Sequence, residues 1–170
     1  PYNRDQAEYL LTRCLCLLPF VEPSSEGIAR LRTIDPMQRM WRYQFQGLLG
    51  ALGHSRSNEA LGFLIEMAKG EEKRLHGVAG EWVAAVANIG TQEAIRTLLS
   101  LVDPDIEQHN FTLQFDYFHQ EKLASTVADI ARDYPSIKDR LLLLCTRALP
   151  TNKRLLLADS VTRLGTSEGV

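Results

Sequence analysis

Histidines and carboxylates lie close together in one part of this sequence, where together they could bind a metal. His109 and His119 flank Asp116, and Asp105 comes shortly before them. Imidazole and carboxylate are both competent metal ligands. Their spacing matches no compact metal-binding motif, and histidines of this kind are common on protein surfaces. We therefore expect no metal and no other cofactor at these residues.

Cysteine is the other residue type with nucleophilic chemistry. Cys14, Cys16 and Cys145 are odd in number and form no Cys-x-x-Cys pair. Cys14 and Cys145 lie in leucine-rich stripes, where burial keeps a thiol protonated and unreactive. Reduced, buried cysteines are typical of cytoplasmic proteins, and we expect that localisation. Because no catalytic set is recognisable, we favour a non-enzymatic role over an enzymatic one.

A short phrase recurs four times and indicates the elements that must position these residues. It reads SSEGI from Ser24, SNEAL from Ser57, TQEAI from Thr91 and TSEGV from Thr166, at a period in the thirties. Such a period is typical of stacked helical repeats. The hydroxyl can accept a hydrogen bond from an early helix amide, and the Glu places negative charge at the positive helix start. We therefore assign these glutamates a structural role.

Apolar residues recur between the phrases at three- and four-residue steps, as in amphipathic helices. The clearest helix pair has Trp82 on the buried face of its first helix and Gly90 at its corner. The pattern predicts an all-α chain of about four and a half helix pairs, with Gly53 and Gly90 at equivalent corners. Residues 1–170 then form a single repeat domain, with an insertion or long connection at residues 103–116.

The stretch LHGVAGEWVAAVANIGTQEAIRTLLSLVD, from Leu75 to Asp103, resembles the HEAT-like repeat of phycobilin-lyase-type and related proteins. Those repeats combine an alanine-rich helix, a Leu-Gly or Ile-Gly stop, a Glu-Ala pair and a leucine-rich return helix that closes with Asp. The resemblance implies an α-α superhelix, a HEAT-like solenoid, whose return helices line a concave surface. Function varies widely among such proteins.

Two activities of HEAT-like proteins do not fit this sequence. HEAT-repeat hydroxylases hold iron with His-Glu pairs, and none of His54, His76, His109 and His119 is followed by Glu. HEAT-like DNA glycosylases present a basic concave face, whereas the middle of this chain is acidic. We therefore expect neither activity.

Charge is distributed unevenly along the chain. Between Ser57 and Pro135 there are thirteen acids and six bases, and the flanks together have thirteen bases and eight acids. An acidic middle and a net charge of −2 disfavour nucleic acid, which attracts basic surfaces. The pattern favours a protein or peptide partner, including a basic one. No run approaches the roughly 18 apolar residues that a membrane span needs.

The predicted concave surface consists of outward positions on the return helices, and it could bind an extended peptide or a helix. Phe63 stands out because an exposed aromatic residue between two acids is a plausible anchor. The alternative is an ordinary solvated face. The candidate partner-binding residues of this surface are Glu59, Phe63, Glu66, Gln92, Arg96, Ser100, Asp139 and Arg147.

The insertion is the second candidate surface, because it combines acids with aromatic residues. Such a loop suits a basic or arginine-bearing partner through charge and cation-π contacts. The alternative is that the aromatic residues fold the loop back onto the core. The candidate residues of the insertion are Asp103, Asp105, Glu107, Phe111, Phe115, Tyr117 and Phe118.

Two functions follow as hypotheses. The first is a protein-protein interaction scaffold or recruitment segment that binds its partner on the concave face. Because the sequence opens at Pro1 and closes inside the phrase at Thr166, we expect it to be a segment of a larger protein whose other domains are also partners. The alternative is a phycobilin-lyase-type enzyme or enzyme subunit, in which the aromatic residues of the insertion stack on a protein-bound pigment.

Overall fold

The structure is a computed structural model of the whole chain. It describes residues 25–33, 42–70, 75–106 and 117–165, together with Gln6, Leu10, Arg13, Cys14 and Leu17. The described residues are all-helical and contain no strand, as the sequence predicted. The eight α-helices among them are α1 (Ser25–Thr33), α2 (Arg42–His54), α3 (Asn58–Gly70), α4 (Ala79–Ile89), α5 (Gln92–Ser100), α6 (Tyr117–Asp133), α7 (Pro135–Leu144) and α8 (Thr151–Gly165).

Three of the four recurring phrases mark helix starts, as predicted, and the fourth, from Thr166, lies outside the described residues. Ser57 Oγ accepts a hydrogen bond from the Ala60 amide at the start of α3. Thr91 Oγ1 accepts one from the Ala94 amide at the start of α5. Three glutamates lie in the first turns of α1, α3 and α5, namely Glu26, Glu59 and Glu93. Their negative charge interacts favourably with the positive end of each helix dipole.

The helices pack in two rows. In the first row α2 packs on α4, α4 on α6 and α6 on α8. In the return row α1 packs on α3 and α3 on α5. The fourth return helix, α7, packs on α6 and α8 of the first row. Within the described ranges, α2, α4 and α6 each lead into a return helix that packs on them.

The core lies between the two rows and is nearly continuous from α2 to α8. Trp82 of α4 is fully buried, as predicted, and its Nε1 donates a hydrogen bond of 2.9 Å to the Leu64 carbonyl of α3. This bond satisfies the one polar atom of the largest core side chain while the ring fills the space between the rows.

The two predicted corner glycines have different roles. Gly90 follows α4 in the left-handed conformation (φ 68°), which favours glycine, so its predicted role as a helix stop is confirmed. Gly53 lies inside α2, and the prediction that it ends that helix is wrong. A Cβ on Gly53 would lie 2.8 Å from the Ala85 Cα, so this glycine permits close contact between α2 and α4. The left-handed residue at that corner is Arg56 (φ 51°).

The prediction of buried cysteines is wrong for both cysteines that the structure describes. Cys14 and Cys145 are exposed. Cys145 caps the end of α7, which ends at Leu144. Leu142 is also exposed, because α7 buries Leu141 and Leu144 on one narrow face.

Candidate binding surface

On α3, the predicted concave residues are contacted by an arginine of the preceding return helix. The Arg32 guanidinium of α1 lies 5.6 Å from the centre of the Phe63 ring. Its Nη2 also lies 3.6 Å from Glu66 Oε1, and 3.5 Å from the Glu59 carbonyl oxygen, to which it donates a hydrogen bond. Glu59 and Glu66 are exposed, as predicted.

Phe63 itself is buried, with 7% of its surface exposed, so the prediction of an exposed aromatic anchor is wrong. The helical wheel placed Phe63 outward from α3 alone. It did not include α1, which packs on this side of α3 and lays Arg32 over the ring.

Two return helices carry the rest of the predicted surface. Gln92 and Arg96 of α5 and Asp139 of α7 are exposed, as predicted. Ser100 is 1% exposed, so its predicted outward position is wrong. It lies at the last turn of α5, where its hydroxyl donates a hydrogen bond of 2.7 Å to the Thr97 carbonyl instead of facing solvent.

An ion-pair cluster joins the turn after α5 to α7. Asp103 is 2% exposed, and Arg140 donates to its carboxylate from Nε at 2.7 Å and from Nη2 at 3.0 Å. Asp103 also accepts the Asp105 amide at 2.9 Å, which shapes the turn. The two hydrogen bonds from Arg140 to Asp103 are the strong, bidentate form of an arginine-carboxylate pair. It fixes the residues after α5 against the face of α7.

Asp105 forms the exposed side of the same cluster, where it accepts hydrogen bonds from Arg140 and from Arg147. The hydrogen bonds from Arg147 and then Arg140 hold the pKa of Asp105 below its ordinary value. Those from Arg140 to Asp103 and Asp105 raise the pKa of Arg140, which is therefore cationic at every accessible pH. Desolvation lowers the pKa of Lys153, and Asp103 partly opposes that shift.

These contacts show that acids of the middle segment are already paired within the fold. Arg32 belongs to the basic N-terminal flank and pairs with Glu66. Arg140, Arg147 and Arg163 belong to the basic C-terminal flank and pair with acids of the middle segment. The fold therefore uses bases of the flanks to neutralise acids that the sequence suggested were available to a partner.

A groove opens between α5 and α7, two helices of the return row that are not among the closely packed pairs. Its cavity has a volume of about 320 Å³, at the lower end of the range for small-ligand sites. Its polar lining consists of Asp103, Asp105, Ser136 and Arg140. We call this feature the α5–α7 groove, and its apolar lining consists of Leu99, Ile106, Ile137 and Leu141.

Sequence reasoning found Asp103, Asp105 and Arg147 but missed Arg140 and the apolar residues of the groove. Arg140 lies among leucines on a helix whose match to the repeat is poor, so no local pattern distinguished it. Its partner is 37 residues away, at a separation that helical periodicity does not encode. The position of Asp103 at the end of the repeat was the available signal.

Part of the predicted insertion surface lies outside the described residues. Glu107, Phe111 and Phe115 are in that part. Tyr117 and Phe118 begin α6, but their side chains are not described. Stacking of insertion aromatics on a pigment therefore remains a hypothesis, which an absorbance titration with a bilin tests.

Within the described ranges, no group of three or more His, Cys, Asp or Glu side chains is placed to hold a metal ion. Among the helices described, none has the length and apolar character that crossing a bilayer requires. Comparison of the chain with protein-family models, curated proteins and solved structures finds no match.

Proposed function

We propose that this chain is a protein-protein interaction module that binds a peptide segment of its partner along the return row. The observation that carries the proposal is the α5–α7 groove, an apolar opening in a row of helices that otherwise pack on one another. Stacked helical repeats commonly present extended binding surfaces of this kind. We further propose that the two rows belong to a HEAT-like superhelix with the return row on its concave side.

Exposed charges on the two helices that bound the groove would orient such a partner. Arg96 projects from α5 and Asp139 from α7, and both are exposed. Spaced charges of opposite sign on neighbouring helices favour one direction of a bound chain over the other. Partner recognition then depends on apolar contact in the groove and on charge beside it.

A peptide-display selection against the purified chain tests this function. Binding of the selected peptides is then measured to Arg96→Glu and Asp139→Lys. We expect each substitution to weaken the binding of most selected peptides several-fold. Lys122→Glu is the matched control, since Lys122 is exposed on α6 of the first row.

Two results would count against this function. One is a selection that enriches no peptide over the support alone. The other is a set of peptides whose binding is unaffected by Arg96→Glu and Asp139→Lys but is lost in Lys122→Glu, because the binding surface would then lie on the first row.

A further inference from the structure

We propose that the α5–α7 groove recognises an acidic peptide segment that carries one bulky apolar side chain. This inference rests on the proposed function and specifies the chemistry of the partner. It differs from the basic partner suggested by the acids of the insertion.

Unfilled apolar surface is the first argument. Leu99, Ile106 and Ile137 are partly exposed where they line the groove, whereas Leu141 at its floor is 1% exposed. A side chain that enters the cavity would remove three partly wetted apolar residues from water without displacing the core. An anchor residue in a concave, mainly apolar pocket is the usual centre of a peptide-binding site.

Charge at the groove is the second argument. Two arginines, Arg140 and Arg147, pair with two carboxylates, those of Asp103 and Asp105. Both carboxylates already accept hydrogen bonds from arginines. Neither carboxylate is therefore left without a cationic partner for a basic segment to supply, whereas an acidic segment can still reach unused N–H donors of the arginines.

Arg147 is the cation best placed to meet a partner. Its side chain is 44% exposed, and its described ion pair with Asp105 is made by Nη1. An arginine has five N–H donors, so the remaining ones can reach a carboxylate of the peptide. The apolar side chain would then enter the cavity while an adjacent Glu or Asp pairs with Arg147.

Fluorescence anisotropy with labelled synthetic peptides tests the proposal. The probe is a short peptide with a central Phe flanked by Glu residues, and its matched variants replace Phe by Ala, Glu by Gln, or Glu by Lys. We expect the acidic Phe peptide to bind most tightly and the Ala peptide to bind at least about tenfold more weakly. Added salt should weaken the acidic peptide more than the Gln peptide.

Substitutions in the protein locate the site. Ser136→Phe places a ring at the lining of the groove and should weaken the acidic Phe peptide at least about tenfold. Thr162→Phe is the matched control because Thr162 is exposed on α8 of the first row, and it should bind like the parent chain. Arg147→Gln should weaken binding of the acidic peptide and leave binding of the Gln peptide unchanged. This variant keeps the proposal testable if Ser136→Phe does not fold.

Several outcomes would overturn the proposal. Tighter binding of the Lys peptide, or equal binding to Ser136→Phe and the parent chain, would show that the groove does not select this chemistry. Binding only to a chain with Phe111→Ala and Phe115→Ala would assign the groove to the protein's own insertion. If display-selected peptides still respond to Arg96→Glu, these outcomes leave the interaction function intact. If no probe peptide of any charge binds, the proposal of an acidic segment fails, and the interaction function fails with it only if the display selection also enriches no peptide.

Discussion

Arg140 of α7 donates two hydrogen bonds to the carboxylate of Asp103, at 2.7 and 3.0 Å, across 37 residues of sequence. Asp103 is buried and Arg140 is half-buried, so the pair connects the interior of the return row to its surface. The pair lies at the lining of the α5–α7 groove and sets the position of the turn after α5. The geometry of the candidate site therefore depends on one contact between distant parts of the chain.

Replacing Asp103 by Asn should destabilise the fold. The substitution removes the negative charge and places amide hydrogens against the donors of Arg140, which leaves buried polar groups poorly paired. We expect the thermal midpoint measured by circular dichroism to fall by several degrees. Asp139→Asn is the control, since Asp139 is exposed on α7 next to Arg140 in sequence, and it should leave the midpoint nearly unchanged.

Replacing Gly53 by Ala should separate α2 from α4. The added Cβ would lie 2.8 Å from the Ala85 Cα and 2.9 Å from its carbonyl oxygen, and both are backbone atoms that cannot rotate away. We expect the free energy of unfolding in urea to fall by about 1–3 kcal/mol, as for an overpacked core.

Gly50→Ala in the same helix is the matched control for Gly53→Ala. A Cβ on Gly50 meets nothing within 4 Å, and Ala is favoured over Gly inside a helix by about 0.5–1 kcal/mol. Gly50→Ala should therefore raise the stability. Equal effects of the two substitutions would contradict the close helix contact.

The sequence predicted the helical character and the starts of α1, α3 and α5, because capping and apolar spacing are local signals. It failed where a side chain is covered by a distant element. Phe63 is the clearest case, since it belongs to the buried core and Arg32 of α1 lies over its ring. The groove could not be predicted either, because Ile106 and Ile137 become neighbours only when α7 approaches the turn after α5.

The acid side of the stability profile should depend on Arg147. Because Arg147 and Arg140 lower the folded pKa of Asp105, its carboxylate stabilises the fold above the unfolded pKa, about 3.8, and this contribution is lost as pH falls through the lower folded pKa. Arg147→Gln should raise the folded pKa towards the unfolded one. The variant should be less stable than the parent chain at pH 7, and the difference should disappear at a pH below both pKa values.

Urea unfolding across that pH range measures this dependence. Arg132→Gln is a suitable control, because Arg132 pairs with Asp129 within α6 and does not contact Asp105. An Arg147→Gln chain with the same pH dependence as the parent would show that the contact between Arg147 and Asp105 contributes nothing in solution.

The most direct test of the central claim, that the return row opens a binding groove between α5 and α7, is methyl NMR of an Ile- and Leu-labelled chain titrated with the acidic Phe peptide. We predict that the methyl signals of Leu99, Ile106 and Ile137 move first and saturate together. Leu155 is 62% exposed on α8 and provides an internal control for unspecific apolar contact. Shifts confined to Leu155 and the exposed leucines at the end of α7, with the groove methyls unmoved, would contradict the claim.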